Sequence, residues 1–499
     1  MSSFNYISSS ELKNFLSNDP LLDWLESYGH LYNYYPEKND PDKVFNQFLQ
    51  ESHTKFQKKI IEHLESKLSI TRIENYLDIR QRVSNTLNAF YLGKKIIYQG
   101  ALFSNSHNFL SYPDLLIRSD LIPFLFPNSE TVSESHSSKF NWTYYVVNIQ
   151  TLKLHLNNEG YITNMNKRNQ YLKAKNIIDT LCLNEIQECH NPLSFIISKS
   201  VQKSPDLKID FKDFFYGRVD YQNYDQVIYE NILKGCQWKQ KLKQYGSEWS
   251  PEKTDSQQKE MYPNMVNQDD FPWHHVKKEI ASKNQEITLL YHCGVKHRNN
   301  AFQHGHYQWS DCDSDSLQIR STKKSKIIDK MIDLNKFQSE IEISPRILKN
   351  QSNRNLLRSE TVEFYVDFET VINFNETSED DTSSSHLFMI GCLCVLKNSN
   401  NQLKTQFKQF TCQNLDQESQ IIDSWISYMN TMTSKSSKHQ SKFKIYHWSH
   451  AEPVIMKKLS QKYSNKDLLP PQFIWTDLLQ IFKNEPIILK DVFSYSLKP

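Results

Sequence analysis

No stretch limits the possible folds of this chain more than Val362–Val371, VEFYVDFETV. Apolar and polar residues alternate along it, which is the pattern of a half-buried strand. Asp367 and Glu369 stand two residues apart, and on a strand such residues project from one face. Carboxylates held side by side repel unless a cation lies between them, and Mg²⁺ or Mn²⁺ takes oxygen ligands of this kind. Taken alone, the pair reads equally as the solvent face of an ordinary strand, so the downstream elements decide.

Leu387–Leu396 is a continuous apolar strand, and Lys404–Thr411 alternates as a third strand. Glu418–Met429 is helical, with Ile421, Ile422, Trp425 and Ile426 on one face. Lys444–Trp448 is a fourth strand, and a helix opens at Ala451. The order is βββαβα. It resembles RNase H-like folds, including the DEDD (DnaQ-like) 3′–5′ exonucleases. The resemblance implies a metal-binding acid after the fourth strand, and Glu452 in HWSHAEP falls there. Asp367, Glu369 and Glu452 are thus the expected catalytic acids, with Asp367 and Glu369 as metal ligands. Asp477 reads as the cap of the helix beyond it. The family's last acid lies beyond a YSLK-like segment, here Tyr495–Lys498, so the domain is expected to be C-terminally incomplete. The acidic, Ser-rich stretch Asn375–Ser385 reads as a solvated loop.

The first half carries a second likeness. A helix over Asp78–Tyr91 is followed by YQGAL, YPDLLIRSD and TYYVVNIQTLKLHL. This resembles the RecB-like branch of the PD-(D/E)xK nucleases, in which an Asp and a following (D/E)-x-K bind Mg²⁺ and orient the attacking water. Asp114 matches the first acid. Asn148 and Gln150 stand where the second acid and the lysine belong, and Lys175 and Asp179 replace the Q-x-x-x-Y of the next helix. An amide cannot supply the charge of either missing group, so this nuclease site (Asp114, Asn148, Gln150) is expected to be degenerate, a fold retained for gripping nucleic acid.

Between the two, EITLLYHCGVKHRNN resembles a helix-hairpin-helix over 285–311. It turns at Gly294 and opens a basic helix with Lys296 and Arg298. Such hairpins set turn amides and a helix N-terminus against phosphates. Lys277 and Lys278 are read as adding local charge. A zinc site built from His292, Cys293, His297, His304, His306 and Cys312 is the rival reading. It is disfavoured because no C-x₂-C pair occurs.

The expected organisation is an α/β multidomain protein. It has a helical region at 1–70, the degenerate PD-(D/E)xK domain at 71–215, a helical region at 216–343, a linker at 344–360 and the RNase H-like domain at 361–499. Composition agrees with a folded chain: of 499 residues, 38% are hydrophobic and 13% aromatic. The formal net charge of +2 makes any basic surface local. Ten glycines, none closer than Gly93 and Gly100, exclude P-loop and Rossmann fingerprints. Eight cysteines, mostly widely spaced and without a C-x-x-C pair, no signal-like N-terminus and no long apolar run point to a soluble, intracellular protein of the cytoplasm or nucleus. The resemblances imply a Mg²⁺- or Mn²⁺-dependent nuclease, with nucleic acid as partner, DNA ahead of RNA. The alternative is a catalytically inactive nucleic-acid-binding or scaffold protein descended from one.

Overall fold

A computed structural model of the chain describes residues 6–40, 43–127, 139–164, 167–204, 207, 213–252, 258–336, 342–356, 362–372, 385–397, 402–412, 414–434, 442–463 and 468–496. The greater part of the acidic stretch after Asn375, and the last two residues of the YSLK-like segment, lie outside these. The chain divides into two compact units, Met1–Asn284 and Gln285–Pro499. The division falls inside the helical region expected at 216–343, not at its ends. No described helix is long and apolar enough to cross a membrane.

The first unit is organised by a six-stranded sheet. Its strands are β1 (Ile70–Arg72), β2 (Ile96–Tyr98), β5 (Leu115–Arg118), β6 (Tyr144–His155), β7 (Leu193–Gln202) and β8 (Phe215–Asp220), in that spatial order. A separate hairpin joins β3 (Leu102–Ser104) to β4 (Phe109–Ser111). The sheet is mixed: β1/β2 and β6/β7 are parallel, and the remaining pairs antiparallel. Runs such as YYVVNI have no polar alternation because both faces are covered. Tyr144 and Val146 point to a core shared with the helices Ile79–Tyr91, Lys167–Gln187 and Gln226–Tyr245. Tyr145, Val147 and Ile149 point to the opposite core, against Ile60, Ile61 and Leu64 of the helix Lys43–Glu65.

The N-terminal helices are not a separate body. Leu21, Trp24 and Leu25 of the helix Leu21–Tyr28 share an apolar cluster with Trp238, Leu242, Trp273 and Ile280. A buried ion cluster fixes that junction. The Lys277 Nζ donates to Asp19 Oδ2 at 2.9 Å and to the Asn264 and Asn267 carbonyls at 3.1 and 2.8 Å, and it also pairs with Asp270. Lys277 therefore adds no surface charge: it is wholly buried.

In the second unit, β10 (Val362–Ile372), β11 (Ser385–Lys397) and β12 (Leu403–Thr411) form an antiparallel meander. Then β13 (Phe443–His447) and β14 (Phe473–Asp477) add in parallel on the other side of β10, giving the order β12-β11-β10-β13-β14. Two successive crossovers running the same way across a sheet place their helices on one face. Ile421, Trp425 and Met429 of the helix Glu418–Thr433 and Met456 and Leu459 of the helix Ala451–Tyr463 do share one core with Phe364, Val366 and Phe368. Tyr365, Asp367 and Glu369 alternate with those core residues and face the other way. The same unit includes the Gln285–Asp311 segment, the helix Thr322–Lys336, and a two-stranded pairing of β9 (Ile343–Ser344) with β15 (Ile488–Leu489).

Candidate functional site

The five-stranded sheet brings the carboxyl ends of three parallel strands, β10, β13 and β14, side by side. Open α/β sheets place their ligands at such ends. Asp367 lies two residues past Tyr365, whose pairing with Tyr446 is the last between β10 and β13. It is exposed, and Glu369, on the same face, is half-buried. β13 ends at His447, which pairs with Asp477 at the end of β14. Glu452 sits in the first turn of the helix that leaves β13.

The surroundings of these acids differ. Asp477 is committed to structure: its Oδ1 accepts from the Gln480 amide at 3.1 Å, capping the next helix, and from the Ser449 amide at 3.3 Å. That is the capping role its position suggested. Glu452 is the opposite case. It is 4% exposed, and its Oε2 has no hydrogen-bond partner. His447 Nδ1 stands 3.6 Å away, beyond hydrogen-bond range, and is directed at the Ser449 carbonyl. A buried carboxylate oxygen left bare costs free energy, and a ligand or cation received there would offset that cost.

The structure keeps Asp367 and Glu369 together on one face of β10. Glu452 lies towards the helix-covered side, with the His447 ring stacked edge-on to Trp475 at 5.4 Å. Among the described residues, no three His, Cys, Asp or Glu side chains converge closely enough to hold a metal ion. The donor set that fits Mg²⁺ or Mn²⁺ by chemistry is the pair Asp367 and Glu369, with Glu452 as an oxygen still unclaimed.

In the first unit two of the expected residues, Asp114 and Asn148, do meet. Asp114 follows Pro113 into β5, and Asn148 lies on the neighbouring β6. The Asp114 amide donates to Asn148 Oδ1 at 2.9 Å, and its Oδ2 accepts from the Ile149 amide at 2.8 Å. Two further residues, both from the helix Lys167–Gln187, complete the cluster. Lys175 Nζ donates to Asn148 Oδ1 at 2.9 Å and to Asp179 Oδ2 at 2.8 Å, while Asn148 Nδ2 donates to Asp179 Oδ2 at 2.9 Å. Gln150 lies two residues further along β6, where its register with β7 begins to shift. Burial pushes the Asp114 carboxyl above its usual range, opposed by Lys175 and the Ile149 amide. For Lys175, burial pulls the other way, but Asp179 and then Asp114 outweigh it, so its affinity for the proton is raised.

The hairpin segment is built differently from the expectation. Only a 3₁₀ turn, Ile287–Leu289, precedes Gly294, and the helix is Val295–Gln303. Gly294 is its N-cap, but its amide already donates to His297 Nδ1 at 3.1 Å. Arg298 is buried against Glu286 at 3.1 Å, so it is not a phosphate-facing cation. Lys296 is exposed. Cys293 and Cys312 are buried thiols pushed up to about 12 by burial.

Comparison with known protein families, characterised proteins and solved structures finds no match.

Proposed function

We propose that this protein is a metal-dependent nuclease that hydrolyses phosphodiester bonds of DNA or RNA at the carboxyl edge of its five-stranded sheet, in the manner of RNase H-like 3′–5′ exonucleases. The observation that carries this reading is the strand order β12-β11-β10-β13-β14, with Asp367 and Glu369 on β10 and the bare oxygen of Glu452 just after β13. Asp367 and Glu369 would hold Mg²⁺ or Mn²⁺, and Glu452, towards the helix-covered side, would be a further acid at the same edge of the sheet, apart from that pair. When bound, such a cation supplies charge neutralisation for the phosphate and a more acidic water. The chain's own part is to position: β10 fixes both carboxylates on one face, and the Asp477 cap holds the Ser449 turn that leads to Glu452. The first unit, with its degenerate RecB-like site, and the exposed Lys296 at a helix start would contribute nucleic-acid binding.

The test is cleavage of labelled single- and double-stranded DNA and RNA in Mg²⁺ or Mn²⁺, beside Asp367→Asn. A nuclease of this kind degrades its substrate only with the cation, and the variant loses that activity. A second reading, a binding or scaffold protein without catalysis, is favoured by the absence of a three-ligand cluster among the described residues. It expects binding without cleavage of any substrate.

A further inference from the structure

We propose that Lys175 is the resident cation of the first unit's carboxylate cluster, so that the Asp114 site takes no divalent metal ion. This assignment is independent of catalysis in the second unit.

A divalent ion needs oxygen lone pairs that face it and are free. Around Asp114 part of that set is already used, one lone pair on each carboxylate oxygen. Asp114 Oδ1 accepts from Gln57 Nε2 at 3.0 Å, reaching in from the helix Lys43–Glu65, and its Oδ2 accepts from the Ile149 amide. Asn148 is locked in one orientation, because its Nδ2 donates to Asn176 Oδ1 at 2.7 Å and to Asp179 Oδ2, neither of which could donate in return. Its Oδ1 therefore faces inwards, and both lone pairs are taken, one by the Asp114 amide and one by Lys175.

The ammonium fits this cage fully. An ammonium group has three hydrogens, and Lys175 Nζ has three acceptors: Asn148 Oδ1, Asp179 Oδ2 and the Tyr112 carbonyl at 3.2 Å. Asp179 and Asn148 are about 1% and Lys175 22% exposed, so the cluster is set beneath the surface with the lysine stem towards solvent. A divalent ion entering beside the ammonium would meet like charge in a medium that screens weakly. The amide at Asn148 completes the logic: with one cation of single charge, the cluster needs fewer acids, and a third carboxylate there would be left unbalanced. Lys175 supplies the positive charge of the cluster, and the amide of Asn148 supplies an acceptor for it without adding negative charge.

The experiment uses the full-length protein carrying Asp367→Asn and Glu369→Gln, which silences the second unit's acids. Mn²⁺ is titrated and its free fraction read by electron paramagnetic resonance. This parent should take up no Mn²⁺ that Asp114→Asn removes. Adding Lys175→Met should create a Mn²⁺ site, which Asp114→Asn then abolishes, and folding of each variant is checked by circular dichroism. Asp114-dependent Mn²⁺ uptake by the parent would overturn the proposal. So would a folded Lys175→Met protein that gains no site. If Lys175→Met does not fold, Lys175→Gln, which keeps a donor, takes its place in the same titration and is read in the same way.

Discussion

Replacing Glu452 by glutamine should stabilise the second unit in metal-free buffer, which is the reverse of what loss of a buried polar side chain ordinarily does. The carboxylate is 4% exposed, its Oε2 has no partner, and His447 is 3.6 Å away with its Nδ1 directed elsewhere. A buried polar group without a partner costs roughly 1–3 kcal/mol, and more when charged. An amide left in the same place still costs something, so the net gain expected for Glu452→Gln is about 1 kcal/mol. With a urea dependence of roughly 1–3 kcal/mol per molar, the unfolding midpoint should rise by about 0.3–1 M. Because the chain has two compact units, the midpoint is best read locally, from hydrogen exchange of Phe443–His447 peptides across a urea series in EDTA. Mg²⁺ should then stabilise the parent more than the variant. A lowered midpoint for Glu452→Gln would overturn this expectation, since it would mean that the carboxylate is a structural ligand of the fold.

Other perturbations act on buried contacts elsewhere in each unit. Lys277→Met leaves Asp19 and Asp270 buried without their cation and should destabilise the first unit by about 3–5 kcal/mol, measured by exchange of Leu21–Tyr28 peptides. Glu418→Gln should destabilise the second unit by about 2–3 kcal/mol near neutral pH, measured by urea unfolding. Burial alone would push the Glu418 carboxyl up, but donors on Lys462, Tyr463 and the Leu387 amide outweigh it and hold it below its ordinary value of 4.5. A carboxyl lowered in the folded state stabilises above the unfolded value and loses that contribution as pH falls through the folded one. The gap between parent and Glu418→Gln should therefore close in acid, below about 4.5.

The parts of this molecule that are readable from the sequence are those set by short-range periodicity. Alternation in VEFYVDFETV puts Asp367 and Glu369 on one face, and the helices after β12 and β13 announce themselves by their apolar stripes. Asp477 reads correctly as a cap because capping is decided within three residues. Readings that fail depend on partners far along the chain. Lys277 in a KK pair looks like surface charge, but Asp19, 258 positions away, draws it inside. Arg298 looks like a phosphate ligand at a helix start until Glu286 is placed against it. Lys175 and Asp179 stand out only as departures from a family pattern, and nothing local shows that they close upon Asn148. The division of the chain at 284/285 is hidden for the same reason, since Trp24, Trp238 and Trp273 meet only in the folded unit.

Whether the chemistry belongs to the acids of β10 is tested most directly by cleavage of end-labelled nucleic acid with three full-length proteins in parallel: the parent, Asp367→Asn and Asp114→Asn, each with Mg²⁺ or Mn²⁺. The parent and Asp114→Asn should cleave alike, whereas Asp367→Asn should not cleave. Cleavage that survives Asp367→Asn and disappears in Asp114→Asn would contradict a site on β10 and move the chemistry to the first unit.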